Sequence, residues 1–434
     1  MEHAKSRALI DMLGNMKIHP RRGMDPTLIE KLEEFKKKLK DLRQELESPK
    51  EDSGRSRSVR EEFRAVRTAL SDFLQQVELR TPEDALMALK QVPPFSATDL
   101  KKLTQNSAWS GTVFLEFFLG TKESYGFVSR DGTFRTFRIP AGDQEIRKRV
   151  SSLRDKIKGK SPDWKEDSAA LYGILIKPVE KEMAGASRLA VIPNGPLHYL
   201  PFSPLLDGAG KLLIEKIPLF TLPSATVARF VQSGGDKKSD EMLLLANPDG
   251  SLPFAEAEAA AINQATKLRP RILLKNQATE GTVKKLTSSA GYVHFATHGI
   301  LDGGQPLYSA LVLAPDQKED GRLEMQEIFN ELDLKHTRLV TLSACNTAVG
   351  PETGGDEIAG LSRAFMYAGA PSVLASLWAV DDYSTSRLMT EFYRNLSGSD
   401  KAQALQKAQL AVYSEEKVSH PFYWAAFELI GSFR

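Results

Sequence analysis

The sequence predicts an α/β fold, built on a largely parallel sheet with helices on both faces and preceded by a helical segment. Short apolar runs alternate with helical stretches through the last two hundred residues, the pattern of parallel strands joined by crossover helices. Before residue 100, leucine and phenylalanine recur at steps of three and four among lysines and glutamates, which is helical spacing. The chain is 41% hydrophobic and 26% charged over 434 residues, a globular composition long enough for two or three domains.

Residues 1–100 read as helical. Asp25-Pro26 signals a helix start, with Asp as N-cap and Pro in the first turn. Ile29, Leu32, Phe35, Leu39, Leu42 and Leu46 then line one face. Ser48–Ser58, with Pro49, Gly54 and several charges, reads as an exposed loop. A second amphipathic helix carries Phe63, Val66, Leu70, Leu74 and Val77, so the pair is expected as a helical hairpin whose apolar seam continues into further helices; a plain coiled-coil hairpin is the simpler alternative. The following strand candidates are Thr112–Phe118, Ser124–Val128 and Leu189–Val191, and Ile192–Pro201 reads as a strand running into turn signals. The polar stretch Ser233–Asp240 is expected as a linker. Beyond it come strands Met242–Leu245, Gly291–Thr297, Ala310–Ala314, Arg338–Leu342 and Ser372–Leu377. Helices are expected from Glu280 and around Glu324–Asn330, Asp356–Ala368, Ser384–Asn395 and Ala402–Tyr413.

The net charge of +2 gives no reason to propose nucleic acid as a direct partner. No apolar run approaches a membrane span, and Asp11 interrupts the short apolar stretch near the start, so neither a membrane nor an export signal is expected. One cysteine without an export signal fits a reducing cytoplasm.

That cysteine, Cys345, ends the strand-like run Arg338–Ala344. A lone cysteine is either a small buried hydrophobe or a nucleophile. A second strand-like run, Tyr292–Thr297, leads into His298-Gly299. Ligands in such sheets bind beyond the carboxyl ends of the strands, and His298 and Cys345 both fall there, as a Cys–His dyad requires. Gly299 has no Cβ, so its backbone can approach a substrate carbonyl; the N–H groups of Gly299 and Cys345 are the expected oxyanion donors. The polar loop Asn346–Glu357, with Gly350, Gly354 and Gly355, is either a lid or a solvated surface loop.

Two other chemistries fit poorly. His294 and His298 would share a zinc ion only on a helix; in a strand, four residues span ~13 Å, and no Glu follows His294. His294 is therefore expected as a buried, hydrogen-bonded residue, and no metal or other cofactor is expected. Ser343 lacks a nucleophile-elbow pattern, which argues against a serine hydrolase. His198, His336 and His420 have no neighbouring pattern that makes them better bases.

At these residues the sequence resembles the CHAT family of caspase-like cysteine peptidases, in the clan of caspases, gingipains and separases. The matching stretches are Ile192–Phe202, Pro223–Thr226, Ala246–Pro248, Ala255–Ala259, His294–Gly299, Leu342–Ala348, Gly360–Phe365, Ala368–Val373, Ser376–Asp382 and His420–Phe427. The resemblance covers roughly residues 105–434 and implies His298 and Cys345 as the dyad, both intact. It also implies a bilobal unit. The expected division is a helical region over 1–104, a degenerate caspase-like lobe over 105–240 and a catalytic lobe over 241–434.

CHAT modules commonly follow tetratricopeptide repeats, and the N-terminal helices look like the end of such an array. No clear 34-residue period is present, so the chain is expected to be a natural short form or a piece of a longer protein. The resemblance implies a cysteine endopeptidase that cleaves a partner protein in a regulated bacterial defence or cell-death pathway. Family substrates include gasdermin-like pore formers and CRISPR-associated factors, and an activating partner is sensed by the helical region. Separases cut after arginine with an acidic residue beyond the Leu-Trp strand, here Leu377-Trp378-Ala379-Val380-Asp381-Asp382. Asp381 or Asp382 is thus expected to bind a basic P1 side chain; Asp356 is a further candidate, and a helix N-cap at Asp382 is the competing reading. The Arg55–Arg57 loop is a candidate for self-cleavage. A non-enzymatic docking scaffold, or another cysteine hydrolase or acyltransferase, remains the alternative function.

Overall fold

The structure is a computed structural model that describes residues 26–47, 53–78, 97–232, 239–302, 308–343, 357–379 and 381–434. Cys345, Asp356 and most of the glycine-containing loop after the cysteine lie outside the described residues.

Two helices open the described chain, α1 (Pro26–Glu47) and α2 (Ser53–Glu78). They run antiparallel, since Phe35 meets Phe73 while Arg43 lies over the Phe63 ring. Leu39, Leu42, Val59, Val66, Leu70 and Phe73 form a cluster of their own, separate from the main core. The expected loop is shorter than its composition implied: α2 begins at Ser53, so Gly54 to Ser58 are helical. Serine and glycine are tolerated in a first turn, where the N–H groups have no helical acceptor anyway.

The next segment supplies α3 (Ala97–Gln105), β1 (Thr112–Phe118), β2 (Ser124–Arg130), β3 (Thr133–Ile139), α4 (Asp143–Lys158), α5 (Trp164–Leu175), β4 (Arg188–Ile192) and β5 (Leu219–Thr221). Ile146, Val150, Leu153 and Ile157 give α4 its buried stripe, with Asp143 and Glu145 in the first turn and Lys156 and Lys158 in the last, as the helix dipole favours.

The remainder supplies β6 (Glu241–Ala246), α6 (Pro253–Ala265), β7 (Arg269–Leu274), α7 (Glu280–Leu286), β8 (Tyr292–Ala296), β9 (Gly299–Ile300), β10 (Ala310–Val312), β11 (Arg322–Glu324), α8 (Met325–Glu331), β12 (Leu339–Leu342), α9 (Glu357–Tyr367), β13 (Ser372–Ser376), α10 (Asp382–Leu396), α11 (Lys401–Tyr413) and β14 (Phe427–Gly431).

Eleven strands form one sheet in the order β3-β2-β1-β4-β5-β14-β13-β12-β8-β6-β7. Neighbours are parallel except β3–β2, β2–β1 and β14–β13. The sheet passes unbroken from the earlier strands to the later ones, because β14 pairs with both β5 and β13. β9, β10 and β11 form a separate three-stranded sheet. β8 is buried at every position, as a parallel strand covered on both faces should be. β6, β8, β12 and β13 are mutually parallel, so their carboxyl ends share one edge.

The helical hairpin lies against β11, α8 and the segments beside them. Lys36 pairs with Glu327 and Glu331, and Arg43 with Asp320 and Glu324. Lys40 donates to the carbonyls of Asp316 and Glu319 at 3.1 and 3.3 Å. Arg67 pairs with Asp302 at 2.9 Å and stacks on Tyr308, whose hydroxyl donates to the Arg67 carbonyl. No helix among the described residues is long and apolar enough to cross a membrane.

Candidate active site

His298 stands two residues past β8, at the carboxyl edge of the sheet. Its backbone is fixed: the Val312 N–H donates to the His298 carbonyl at 2.9 Å, and the Thr297 hydroxyl donates to the Val312 carbonyl. Gly299 then faces Leu311 in a non-hydrogen-bonded pair, so its N–H is not used by β10. β9 is an edge strand of its small sheet, which leaves that N–H directed away from the ladder.

The His298 ring is partly exposed and has two neighbours from the loop after β6. Its Nε2 lies 2.7 Å from Ser251 Oγ and 3.8 Å from Asp249 Oδ2. Ser251 in turn donates its hydroxyl to Asp249 Oδ1 at 2.8 Å and its N–H to the same oxygen at 3.1 Å. Burial alone would push the Asp249 carboxyl up; these hydrogen bonds, with His298 close by, hold it below the ordinary aspartate range.

Beside the ring is a cleft whose lining includes Phe254, Glu258, His298, Ser343, Asp382 and Thr385. Ser343 is the first residue beyond β12 and two before Cys345 in the sequence. A buried polar chain lies under the cleft. Glu258 holds His294 Nε2 at 2.8 Å with one oxygen and accepts from the Ser343 hydroxyl at 3.2 Å with the other. His294 Nδ1 meets the Tyr393 hydroxyl at 3.1 Å, which meets Thr341 Oγ1 at 2.8 Å. His294 is thus fully buried and hydrogen-bonded at both nitrogens, bracing β8 and β12 against α6 and α10.

The two adjacent aspartates divide their work differently from the sequence expectation. Asp381, not Asp382, is the N-cap of α10, accepting from the Ser384 N–H at 3.0 Å. Both residues fit the capping pattern; the helix starts one position earlier than expected, which frees Asp382 to line the cleft. Burial, then the Asp381 and Glu258 carboxylates, push the Asp382 carboxyl up, and His298 opposes them.

Asp249, Ser251 and Glu258 are the site residues the sequence reading missed. β6 is the sheet neighbour of β8, so the carboxyl-end rule that found His298 also applies to the loop after β6. His420 is structural: it caps a short helical turn through Nδ1, with Nε2 near the Ser161 carbonyl. Among the described residues, three carboxylates converge closely enough for a metal ion, Glu280, Glu319 and Glu327. The Lys284 ammonium sits among them, at 3.1 Å from Glu319 and 3.0 Å from Glu327.

The CHAT domain family profile matches residues 165–432. The chain belongs to the CHAT-domain family. Tetratricopeptide repeat protein 28 of mouse is 28% identical to this CHAT protein over 327 residues, and its human counterpart 29% identical over 329. Each match covers 61% of this chain but only 13% of the relative. Two crystal structures of the Saccharomyces cerevisiae separase–securin complex share the fold. Their TM-scores are 0.53 and 0.54 at 11% identity, covering 80% and 92% of this chain and 31% and 36% of theirs. The CHAT domain therefore has the separase-type, caspase-like architecture: a large, mostly parallel sheet between helices.

Proposed function

We propose that this CHAT protein is a cysteine endopeptidase in which Cys345 is the nucleophile and His298 the base, and that it cuts a partner protein after a basic residue. The observation that carries the reading is the cleft itself. It joins a fixed, partly exposed histidine to Ser343, two residues before Cys345, at the strand edge where this fold class binds ligands. Asp382 and Glu258 line it, and no lysine or arginine does among its described lining. An acidic cleft wall without a lysine or arginine of its own suits an arginine or lysine side chain. Asp381, with one oxygen on its cap, and Asp356 are secondary candidates for that contact.

In this mechanism His298 takes the Cys345 thiol proton as sulfur attacks the scissile carbonyl carbon. The Gly299 and Cys345 N–H groups receive the oxyanion. Collapse breaks the C–N bond, and His298 returns its proton to the departing amine. Water, deprotonated by the same imidazole, then hydrolyses the thioester and restores the thiol. The physiological substrate in this reading is a partner protein of a regulated defence or cell-death pathway, and the helical hairpin is where an activating partner binds.

The test is mass-spectrometric mapping of cleavage in a proteome-derived peptide library, with wild type beside Cys345→Ala. Cuts that vanish in the variant and follow Arg or Lys are expected. Cuts that persist would overturn the dyad. An unreactive Cys345 thiol at neutral pH, with no cuts, would favour the docking-scaffold alternative.

A further inference from the structure

We infer that Asp249 and Ser251 are positioning residues for His298: the Ser251 hydroxyl, anchored on the Asp249 carboxylate, holds Nε2 and reserves Nδ1 for the thiol proton. The inference rests on the peptidase reading above and adds two residues to it.

The hydrogen-bond chain fixes the direction. The single Ser251 hydroxyl proton goes to Asp249 Oδ1 at 2.8 Å. Ser251 Oγ therefore faces Nε2 as an acceptor, and at 2.7 Å the hydrogen between them sits on Nε2. A neutral imidazole protonated at Nε2 has a bare Nδ1, the form a general base needs. When Nδ1 takes the thiol proton, Nε2–H stays in place and the new positive charge faces Asp249 Oδ2 at 3.8 Å. When Nδ1 gives that proton to the leaving amine, the ring returns to the same tautomer.

The loop is built to hold this geometry. Asn247 adopts a left-handed conformation, φ 52°, which asparagine tolerates better than most residues. Its N–H donates to the Ala296 carbonyl at 3.0 Å, tying the loop to the strand that carries His298. Its side chain accepts from the Leu252 N–H at 2.6 Å and donates to Glu256, closing the turn around Asp249 and Ser251. The other acidic groups facing the ring, Glu258 from α6 and Asp382 from α10, are placed differently. Glu258 is held by His294 and Ser343, and Asp382 begins a helix.

The experiment measures Ser251→Ala, Ser251→Thr and Asp249→Asn for cleavage of an Arg-P1 peptide, together with ¹⁵N NMR of the neutral His298 ring. Ser251→Ala and Asp249→Asn are expected to lower kcat by roughly 10- to 100-fold with KM nearly unchanged, and Ser251→Thr to restore most of it. Wild-type His298 should show the Nε2–H tautomer, and Ser251→Ala a mixture. A wild-type Nδ1–H tautomer, or a Ser251→Ala enzyme within about two-fold of wild-type kcat, would overturn the inference. If the wild type cuts nothing and its Cys345 thiol is unreactive at neutral pH, the peptidase reading has failed, and the tautomer alone still decides whether Ser251 holds the ring.

Discussion

Two acidic regions of the same half of the molecule behave in opposite ways. At the hairpin joint, Glu280, Glu319, Glu324, Glu327, Glu331 and Asp320 crowd around cations the chain itself supplies: Lys284, Lys36 and Arg43. In the cleft, Asp382 and Glu258 lie with no lysine or arginine among the described lining. The first region is a structural joint because its charges are already answered. In the second, His294 and Ser343 answer Glu258, and no such cation faces Asp382 among the described lining; in the proposed function that cation is the substrate's. Charge count alone does not separate the two; partner supply does.

The joint shows how tightly such charges are coupled. Burial alone would push the Glu327 carboxyl up, but Lys36 and Lys284 hold it down at about 2. Burial and the Glu327 charge push Glu280 up to about 9 against the pull of Lys284, and push Glu324 up to about 7 against Arg43. The four surrounding carboxylates keep the Lys284 ammonium above lysine's ordinary value despite its burial.

Breaking the joint should have the largest effect. Lys284→Met removes the cation shared by Glu280, Glu319, Glu327 and Glu331, leaving only Lys36 beside the last two, and is expected to destabilise the fold by about 3–5 kcal/mol, read by urea unfolding. A loss under about 1 kcal/mol would mean the joint is held by packing instead. The cleft should respond in binding rather than stability. Asp382→Asn is expected to raise KM for Arg-P1 peptides about tenfold with kcat nearly unchanged and no change in unfolding midpoint. Equal turnover of arginine and citrulline peptides by the wild type would remove the distinction drawn between the two regions.

The smallest effect sharpens the joint. Glu280 has a folded pKa above its unfolded value, so the unfolded chain gives up this proton first as pH rises. Its contribution costs nothing below about pH 4.5 and grows to its full penalty by about pH 9. Glu280→Gln keeps a side-chain oxygen for the Gly321 N–H, which now donates to Glu280 at 3.0 Å. It should flatten the fall in stability across that window, measured by thermal melts over a pH series.

How far the sequence could be read depended on whether the signal was local. β1 shows its full extent in Thr112–Phe118, and β8 announces itself as a β-branched and aromatic run ending near a histidine. His294 was legible as a buried residue because a strand places it away from any shared metal site. β3, β5, β7, β9, β11 and β14 were not legible. β7 opens on Arg-Pro, tolerated because it is an edge strand. β14 carries a glutamate at its second position. In the site, His298 was found from its own strand. Asp249, Ser251 and Glu258 were not, because only the sheet order places the loop after β6, and the helix that follows it, beside β8.

The pairing of Thr221 with Ile430 carries a kinetic consequence. A ribosome releases β5 long before β14, about 200 residues of synthesis apart, and contacts so distant in sequence form late. Until Phe427–Gly431 emerges, the nascent chain presents β5 as a bare strand edge and then β13 as a second one, both of the kind that recruits other chains. A chain truncated between β13 and β14 would leave both edges open at once. In such a product the danger to the cell would be aggregation at the seam.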